Sequence, residues 1–475
     1  MVSTTRLRAN LVQLIIDAGP VGLVAALTLF QNGISVCIIN KDPHPRIGQC
    51  GTGMWPRSHE LYNFLGISEV ISLAKPAPLI RFYKPRTLES LKDNGHRSMG
   101  QQLLDVILQH HLEKFSCYVK ISTKLRSFEQ SDEGVTVVLA KNGISETFDT
   151  KWIIGADGTK SIVRKQLGLT FLGETRDDAQ VVTGDICLTD VGLERLLVWM
   201  SYFKPSNIWM VNKFSKGRVL VAGMSIAQWV VRDSIQAYKM HNMTSRPLDS
   251  QHEDGSLRSS KGLANKSLLE TYSAERLPVI SEMLGVTTSI LNKTMASKEP
   301  QIEQNSILFM LGINCRFSTI VLDEFVTSVT KPINTYGVLD EGHLEAGDRV
   351  PDAPNMLQVG RTEPGTTTLF SLYRPWYHTI LVFALGLADA TLILGALETY
   401  NKIMSVVSPA DLVLIDQEGH AYSAYLMEAG QTKVFVIRPD RVVGALVHGT
   451  EGVKKYSSGK YIGWWPEYSF FTYDF

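Results

Sequence analysis

The N-terminal part of the chain contains the pattern that restricts the fold most. An apolar run of strand length at residues 11–16 precedes the turn Gly19-Pro20-Val21-Gly22, and an Ala- and Leu-rich stretch at residues 23–31 ends at Asn32-Gly33. A second, β-branched run follows at residues 34–39. A strand, a glycine turn, a helix and a second strand within about 30 residues predict a βαβ unit with two parallel strands. We therefore expect an α/β chain, of mixed α+β character, that contains a Rossmann-like domain.

The turn that precedes this helix has most of the spacing of a dinucleotide-binding turn. Glycines there let the backbone approach the phosphates, and the helix N-terminus offers unpaired N–H groups and the positive end of a dipole. In the pattern G-x-G-x-x-G, Gly19 and Gly22 take the second and third glycine positions, and Asp17 takes the first. The alternative is that the turn only connects two strands. The flanking strands and helix favour a nucleotide site that uses Gly19 and Gly22.

Two residues of this predicted site depart from the usual pattern. Asp17 adds a Cβ atom to a turn built for glycine. Its carboxylate also comes near the pyrophosphate, and one like-charge pair about 5 Å apart at an effective dielectric of about 20 costs roughly 3 kcal/mol, or about a hundredfold in affinity. Asn40 stands where an acidic residue normally binds the ribose, and its amide can still hydrogen-bond a hydroxyl. We therefore expect weakened binding, which the stoichiometry of bound cofactor would test.

The charge balance and the cysteines argue against several classes of protein. Lys and Arg together number 47, as do Asp and Glu, so the chain lacks the basic excess typical of proteins that bind nucleic acid or anionic lipid. Five cysteines are scattered without a C-x-x-C pair, which argues against a disulfide framework, a zinc site or a dithiol redox site. A reducing compartment is the simplest location, and we expect a cytoplasmic protein.

Neither the N-terminus nor the most apolar stretch has the pattern of a membrane protein. The N-terminus lacks a basic region followed by a long apolar core. Residues 376–397 are the most apolar but include His378 and Asp389, whereas a transmembrane helix needs about 20 nearly uncharged apolar residues. A buried strand followed by a loop or helix is the better interpretation, so no membrane association is expected.

The remaining segments alternate predicted helices, strands and turns. Helices are predicted at residues 57–65, 99–115, 161–167 and 267–295, and strands at residues 135–140, 152–154, 219–223, 379–384, 412–415 and 434–437. The last of these helices could break near Gly285, and His110-His111 are expected on the surface. Residues 233–261 are polar without periodicity, which predicts a loop or a disordered segment.

Further motifs follow the glycine turn in a fixed order. They are Lys41-Asp42-Pro43-His44-Pro45-Arg46-Ile47-Gly48-Gln49, Trp55-Pro56-Arg57-Ser58 with Glu60-Leu61, Gly100-Gln101, and Ile154-Gly155-Ala156-Asp157-Gly158 with Ser161 and Val163-Arg164. Together they resemble the flavin-contacting segments of FAD-dependent monooxygenases of the phenol 2-monooxygenase group, fungal type, in the para-hydroxybenzoate hydroxylase-like class. This resemblance is far more specific than the glycine turn alone, because its motifs stand in family order along nearly the whole chain.

The resemblance implies a set of residues that contact FAD and the reductant NADPH. The segment after the second strand would contact the flavin, and Gln101 would reach the ribityl chain. The Asp-Gly pair would contribute to binding of FAD and of NADPH. The complete predicted cofactor site consists of Gly19, Gly22, Asn40, Lys41, Arg46, Gln49, Arg57, Gln101, Asp157 and Gly158.

Two parts of this set also have an ordinary structural interpretation. Taken alone, Arg57 and Glu60 would be a solvated helix face. Asp157 in a Gly-Ala-Asp-Gly turn would often serve the turn itself. Only the order of the family motifs favours a cofactor role for these residues.

Motifs in the C-terminal half resemble the same group. Ser273-Ala274-Glu275-Arg276 with Pro278 is similar to the helix after the second flavin motif, and segments at 347–354, 416–422 and 438–440 are similar to its thioredoxin-like C-terminal domain. The predicted organisation is a first part of the FAD-binding domain at 8–190, an inserted but reduced substrate domain with its return strand at 191–222, an irregular segment at 223–262, the helical part of the FAD domain at 263–330 and a thioredoxin-like domain at 331–475.

Two departures from the family are large. After Gly223 relatives continue with Asp-Ala-Ala-His and a second glycine turn, which bind the flavin, whereas this chain continues Met224-Ser225-Ile226-Ala227. Residues 199–214 are also short where relatives have a sheet that covers the substrate. Similarity stops at Gly223 and resumes at Gly262, a pattern typical of a reading-frame or splice error.

The resemblance implies an NADPH-dependent and FAD-dependent hydroxylase of a small phenolic or polyketide-type aromatic molecule, in secondary metabolism. NADPH would reduce FAD, and the reduced flavin would activate oxygen for transfer to an electron-rich ring. A homodimer is also implied. The family's aspartate aligns with Thr52, a poor base, so no general base is assigned. The alternatives are a catalytically impaired relative, a pseudoenzyme that acts as a folded partner, and the product of a faulty gene model.

Overall fold

The computed structural model describes twenty stretches of the chain, which divides into two compact units. The described residues are 7–8, 12–44, 53–76, 80–83, 90–94, 97–99, 101–131, 134–169, 182–187, 208–214, 218–224, 268–296, 309–326, 334–337, 342–359, 366–375, 377–384, 393, 414–428 and 430–457. The first unit comprises residues 1–248 and 280–310, and the second comprises 249–279 and 311–475.

The first unit is built on a parallel sheet of three strands. Gln13–Ile16 lies between Ile153–Gly155 and Val36–Ile39, and both neighbours run parallel to it. The helix Pro20–Gln31, called the first helix, connects the central strand to Val36–Ile39. The predicted βαβ unit is therefore confirmed.

The first helix begins three residues earlier than its apolar pattern alone suggests. Pro20 is its first residue, and proline suits this position because its missing N–H would have no partner in the first turn. Gly33 has a φ of 73° just after the helix, a left-handed conformation that favours glycine. The Asn32-Gly33 end of the helix was predicted on this ground and is confirmed.

The apolar core of the first unit joins the parallel sheet to an antiparallel one. Leu14, Ile16 and Ile39 pack in one cluster with Leu125 and Val137. The second sheet contains Thr123–Gln130, Val135–Lys141 and Ile144–Thr150 in antiparallel order, with Leu7–Arg8 paired in parallel at its edge. Alternating burial along Val135–Lys141 follows from the two-residue repeat of a strand.

Short helices and strands complete the described part of this unit. The helices are Pro56–Phe64, Glu69–Leu73, Gln101–Glu113 and Ile162–Gln166. The short strands are Gly53–Met54, Lys75–Pro76 and Arg97–Ser98 in one sheet and Ile80–Tyr83 with Ser90–Asn94 in another. The first helix packs against Gln101–Glu113. The helices predicted near residues 57, 99 and 161 are thus confirmed, with ends that differ by a residue or two.

A separate antiparallel sheet contains the predicted return strand. Arg218–Met224 lies between Val182–Cys187 and Ile208–Phe214. The strand predicted at residues 219–223 is therefore confirmed. Residues 225–267 lie outside the described residues, and with them most of the segment predicted to be irregular.

The helix Leu268–Ala296 continues without the break predicted near Gly285. Gly285 does not have a left-handed φ, and a Cβ atom built on it would meet nothing within 4 Å. One glycine inside a helix costs about 1 kcal/mol, which a helix of this length tolerates. The prediction of a break was wrong because glycine permits a break without causing one. No helix in the described stretches is long and apolar enough to cross a membrane.

The described residues of the second unit include three small sheets and two short α-helices. Its largest sheet has the order Leu322–Asp323, Val443–Val447, Lys433–Ile437 and Thr379–Phe383. Another sheet has the order Thr366–Thr367, Met356–Gln358 and Leu414–Asp416, and Gly312–Ile313 pairs with Tyr336–Gly337. The helices are His420–Ala424 and Thr450–Ser457. The three strands predicted in this region are confirmed.

Candidate functional site

The three parallel strands of the first unit bring three predicted site segments to one edge. Asp17 follows Gln13–Ile16, Asn40 follows Val36–Ile39, and Asp157 stands two residues beyond Ile153–Gly155. The Asp17 N–H donates to the Ile39 carbonyl oxygen over 2.9 Å, and the Ala156 N–H donates to the Ile16 oxygen over 2.9 Å. Ligands of open α/β sheets bind at this carboxyl edge.

A cleft open to solvent, of about 460 Å³, lies at this edge. Gly19, Asn40 and Gln101, which come from three distant parts of the sequence, all line it. The complete lining is Asp17, Ala18, Gly19, Asn40, Asp42, Gln101, Gln102, Asp105, Val106 and Gln109. It contains three carboxylates and, among the residues that the structure describes there, no lysine or arginine. In the described ranges, no group of three or more His, Cys, Asp or Glu side chains could hold a metal ion.

Gly22 permits a close backbone approach at the start of the first helix. A Cβ atom at position 22 would lie 2.1 Å from the Asp17 carbonyl oxygen, a distance that no real Cβ tolerates. Gly19 is the N-cap of the same helix, and no side-chain hydrogen bond caps it there. The helix N-terminus therefore faces the cleft with backbone alone at its cap, which is the arrangement that binds anions at such ends.

Asp17 has a conformation that L-residues rarely adopt. Its φ is 86°, in the left-handed region, where a residue with a side chain is strained by roughly 1–2 kcal/mol and Asp or Asn is better tolerated than most. The expectation that Asp17 places a Cβ atom in a turn suited to glycine is therefore confirmed. Its Oδ2 atom lies 3.3 Å from the position that a Cβ atom on Gly19 would take.

Asn40 and the residues after it are only partly brought to the cleft. The Asn40 Oδ1 atom accepts a hydrogen bond from the Asp42 N–H over 3.1 Å. Its backbone N–H donates to the Lys120 oxygen over 2.9 Å, so that the residue is held at the strand end. Lys41 is exposed and does not line the cleft. Arg46 and Gln49 lie outside the described residues.

Asp157 combines a structural bond with an unused acceptor. Its Oδ2 atom accepts from the Ile162 N–H over 2.6 Å and from the Val163 N–H over 3.5 Å, at the start of a short helix. Its Oδ1 atom is buried and has no hydrogen-bond partner in the described structure. A buried acceptor without a partner costs about 1–3 kcal/mol. A purely structural role in the turn thus explains the Oδ2 atom of Asp157 but not its Oδ1 atom. Gly158 has a φ of 66°, which favours glycine.

Arg57 is held in a pair with Glu60 and is not among the residues that line the cleft. The Arg57 Nη1 atom and the Glu60 Oε2 atom are 3.0 Å apart, and the two side chains are 15% and 19% exposed. A solvated helix face would leave both far more exposed. The Trp55 and Phe309 rings, whose centroids lie 6.5 Å apart, are near the start of the same helix.

The prediction that both His110 and His111 lie on the surface was wrong for His111. His111 is buried, and its Nε2 atom lies 3.1 Å from Glu69 Oε1, while Lys114 Nζ lies 3.5 Å from its Nδ1. His110 is 70% exposed. Successive residues on a helix are about 100° apart, so two neighbouring histidines cannot share one face.

Comparison of the sequence with known proteins agrees with this geometry. Residues 11–219 match the FAD binding domain family. A flavin-dependent monooxygenase of Mycobacteroides abscessus is 25% identical, over 88% of this chain and 97% of that protein. A 3-(3-hydroxy-phenyl)propionate/3-hydroxycinnamic acid hydroxylase of Comamonas testosteroni is 31% identical over 36% of this chain and 31% of its own length. The family match and the full-length relative both support a flavin-dependent monooxygenase.

Solved structures show that the fold extends over nearly the whole chain. The flavin-dependent monooxygenase PieE, in complex with FAD and substrate, has a TM-score of 0.71 at 16% identity, over 95% of this chain and 98% of its own. Aklavinone-11 hydroxylase, in a ternary complex with FAD and aklavinone, has a TM-score of 0.68 at 17% identity, over 95% and 98%. The chain therefore has the fold of flavin-dependent monooxygenases.

The residues at the cleft fit FAD with one exception. Gly22 allows the first helix to pack closely on the turn before it, and Gly19 lines the cleft at the helix N-cap without a side chain. The Asp157 Oδ1 atom is an acceptor that a ligand hydroxyl would satisfy. Asn40 and Gln101, which line the same cleft as Gly19, offer amide groups. Asp17 does not fit, because it brings a carboxylate to the position that is glycine in the G-x-G-x-x-G pattern.

Proposed function

We propose that the chain hydroxylates a phenolic or polyketide-type aromatic ring, with FAD as its cofactor and NADPH as the reductant. The observation that carries this proposal is the cleft at the carboxyl edge of the parallel sheet, where Gly19, Asn40 and Gln101 meet. The names of two relatives support the substrate class: pentachlorophenol 4-monooxygenase of Sphingobium chlorophenolicum is 28% identical over 41% of this chain, and aklavinone 12-hydroxylase of Streptomyces peucetius is 24% identical over 33%. Secondary metabolism is the context that such substrates suggest.

The cofactor residues of this chain would have distinct roles. Gly19 and Gly22 would bind the pyrophosphate, and Asn40 would hydrogen-bond the ribose. Gln101 would bind the ribityl chain, and the Asp157 carboxylate would accept from a hydroxyl through Oδ1. Bound FAD supplies electron transfer from NADPH and activation of oxygen. Lys41, Arg46, Gln49 and Arg57 remain candidates for the flavin loop.

The remaining parts of the chain would support this reaction. Residues 191–222 would be what remains of a substrate domain, since Ile208–Phe214 and Arg218–Met224 form an antiparallel pair there. Residues 331–475 would be a thioredoxin-like domain that assists a homodimer. The protein must also exclude water and position the ring. We infer a cytoplasmic location from the cysteine pattern.

A turnover experiment tests the proposed function. The purified full-length protein is mixed with FAD, NADPH and a panel of phenols, and both NADPH oxidation and product mass are measured in ¹⁸O₂. We expect at least one phenol to stimulate NADPH oxidation and to gain one ¹⁸O atom. NADPH oxidation that no phenol stimulates, with no labelled product, would contradict the proposal.

The second candidate is a catalytically impaired relative that still folds. The sequence after Gly223, which lacks the family's Asp-Ala-Ala-His segment, favours it. Sequencing the transcript across the codons for Gly223 to Gly262 separates the two candidates. A transcript that restores the missing segment would make the gap a gene-model fault. An identical transcript, together with a colourless purified protein, would favour the impaired relative.

A further inference from the structure

We propose that the Asp17 carboxylate is an internal competitor for the pyrophosphate of FAD at the N-terminus of the first helix. This inference rests on the FAD site proposed above and concerns how strongly that site binds. Asp17 would act as an affinity-determining residue, because any anion that approaches the helix end meets a carboxylate that belongs to the protein itself.

The Asp17 carboxylate lies beside the cap of the first helix. Its Oδ2 atom is 3.3 Å from the place of a Cβ atom on Gly19, the N-cap residue. The first turn of this helix contains no acidic residue, and no side chain caps it. A negative charge near a helix N-terminus is stabilised by the helix dipole. Asp17 therefore brings a carboxylate to a helix end that supplies none of its own.

The backbone of Asp17 is fixed on both sides. Its N–H donates to the Ile39 oxygen over 2.9 Å. Its carbonyl oxygen lies where Gly22 leaves no room for a side chain, 2.1 Å from the Cβ position. With the φ of Asp17 at 86°, the backbone cannot carry the side chain away from Gly19. Only rotation about the side-chain bonds remains.

The charge of the surrounding cleft adds to the effect of Asp17. Asp42 and Asp105 line the same cleft. A pyrophosphate there approaches three carboxylates, of which that of Asp17 lies beside the cap of the first helix. One like-charge pair at such a distance corresponds to about a hundredfold in affinity.

Two substitutions at one position separate charge from backbone strain. Asp17→Asn keeps the Cβ atom and tolerates the left-handed conformation but removes the charge, whereas Asp17→Gly removes both. We expect the dissociation constants for FAD and for ADP to fall by about a hundredfold in Asp17→Asn, and by at least as much in Asp17→Gly. Adenosine, which has no phosphate, should bind all three proteins with similar affinity.

A matched control uses another residue with a left-handed backbone in the same unit. Asn142 has a φ of 52° in the turn between Val135–Lys141 and Ile144–Thr150 and does not line the cleft. In Asn142→Gly the affinities for FAD and ADP should stay within about twofold of the unchanged protein, because distant sites act independently. This control excludes a general effect of removing a strained residue.

A measurement without ligand supplies an independent readout. Because the Asp17 carboxylate is stabilised by the helix dipole, Asp17→Asn should lower the melting temperature of the ligand-free protein by roughly 1–3 °C. The same substitution should raise the affinity for ADP. Opposite signs for stability and affinity are expected of an internal competitor, and a residue with only a structural role would not produce them.

The full-length protein and its variants are titrated with FAD, ADP and adenosine, with flavin fluorescence and calorimetry as readouts. Tighter binding of FAD and ADP to Asp17→Asn, with adenosine unchanged, supports the inference. Tight FAD binding by the unchanged chain that Asp17→Asn does not alter overturns the inference and leaves the proposed function standing. Tighter binding of FAD and ADP to Asp17→Asn, without phenol-stimulated NADPH oxidation and without an ¹⁸O-labelled product, overturns the proposed function alone. No binding of ADP or FAD by any variant overturns both.

Discussion

Two regions of the molecule place carboxylates in different surroundings, one at a cleft open to solvent and one in a buried cluster around an arginine. In the cleft of the first unit, Asp17, Asp42 and Asp105 line an open surface, and the described lining offers no Lys or Arg side chain. In the second unit, Glu275 and Asp440 are buried around the guanidinium of Arg438. The fold thus buries one set of carboxylates around a cation and places the other set at a cleft that a ligand can enter.

In the buried cluster, the Arg438 guanidinium donates hydrogen bonds to both carboxylates, Glu275 and Asp440. Arg438 Nη1 and Nη2 lie 3.1 and 3.3 Å from the two carboxylate oxygens of Glu275, and Arg438 Nη2 and Nε lie 2.6 and 3.1 Å from those of Asp440. The Ser318 hydroxyl also donates to Glu275. Asp440 and Glu275 hold the pKa of Arg438 well above its usual value, against the effect of burial.

The contrast indicates which part of the chain needs a ligand. A buried ion pair that is fully hydrogen-bonded holds two segments together and leaves little for a ligand to do. At the carboxyl edge of the parallel sheet, by contrast, the Asp157 Oδ1 atom is buried without a hydrogen-bond partner in the described structure, and a ligand could supply that partner. Changes to the buried cluster should therefore lower stability, whereas changes at the cleft should alter ligand affinity as well.

Arg438→Met should destabilise the protein most, because it leaves Glu275 and Asp440 buried without their cation. We expect a loss of about 3–5 kcal/mol in the free energy of unfolding, measured with guanidinium chloride. The control is Lys454→Met, which breaks the exposed pair of Lys454 with Glu451 (2.6 Å) and should cost under about 1 kcal/mol. An equal loss in the free energy of unfolding for Arg438→Met and Lys454→Met would contradict the larger contribution expected of the buried ion pair.

Gly22→Ala adds only one methyl group, yet we expect it to displace the start of the first helix and to weaken FAD binding. Its Cβ atom would meet the Asp17 oxygen at 2.1 Å, so the helix start must move, at a cost of about 1–3 kcal/mol. FAD binding should weaken by more than about tenfold. Gly285→Ala is the matched control, since its Cβ meets nothing within 4 Å and should stabilise the helix by about 0.5–1 kcal/mol. Unchanged FAD affinity in Gly22→Ala would argue against a nucleotide at this turn.

Asp157→Ala should lower both stability and flavin affinity, whereas Ser161→Ala should lower stability alone. Both side chains accept from backbone N–H groups of the helix Ile162–Gln166, and each loss should cost about 1 kcal/mol. Only Asp157 has a second oxygen that is buried without a partner. Its loss should weaken FAD binding by about 3- to 10-fold. Equal FAD affinities in the two variants would leave Asp157 a purely structural residue.

Cys315 should give the smallest effect, which depends on pH. Burial, with a contribution from Glu275, raises the pKa of its thiol well above the ordinary value of 9.0. The thiol is thus favoured in the folded state, and this stabilisation is present below about pH 9 and declines as the pH rises further. The free energy of unfolding should therefore fall more steeply between pH 9 and about 10.5 in the unchanged protein than in Cys315→Ala. An equal pH dependence of the free energy of unfolding in the two proteins would contradict a raised pKa of the Cys315 thiol.

The sequence predicted the local elements well and the long-range pairs poorly. The βαβ unit followed from apolar runs and glycine positions, and the strain at Asp17 followed from its place in the turn. The bond between Glu275 and Arg438 could not be predicted, because no periodicity links residues 163 positions apart. His111 was misplaced for a related reason, since its partner Glu69 lies on another helix. The meeting of Gln101 with Gly19 came only from the resemblance to a family.

Both the proposed function and the role of Asp17 require that the cleft beside Asp17 and Asn40 binds FAD. Calorimetric titration of the full-length protein with FAD decides this point, because it yields both affinity and stoichiometry. We predict one FAD per chain, with an affinity that Asp17→Gly strengthens and Gly22→Ala weakens. The absence of any binding at FAD concentrations up to about 1 mM, in the unchanged chain and in Asp17→Gly alike, would contradict both.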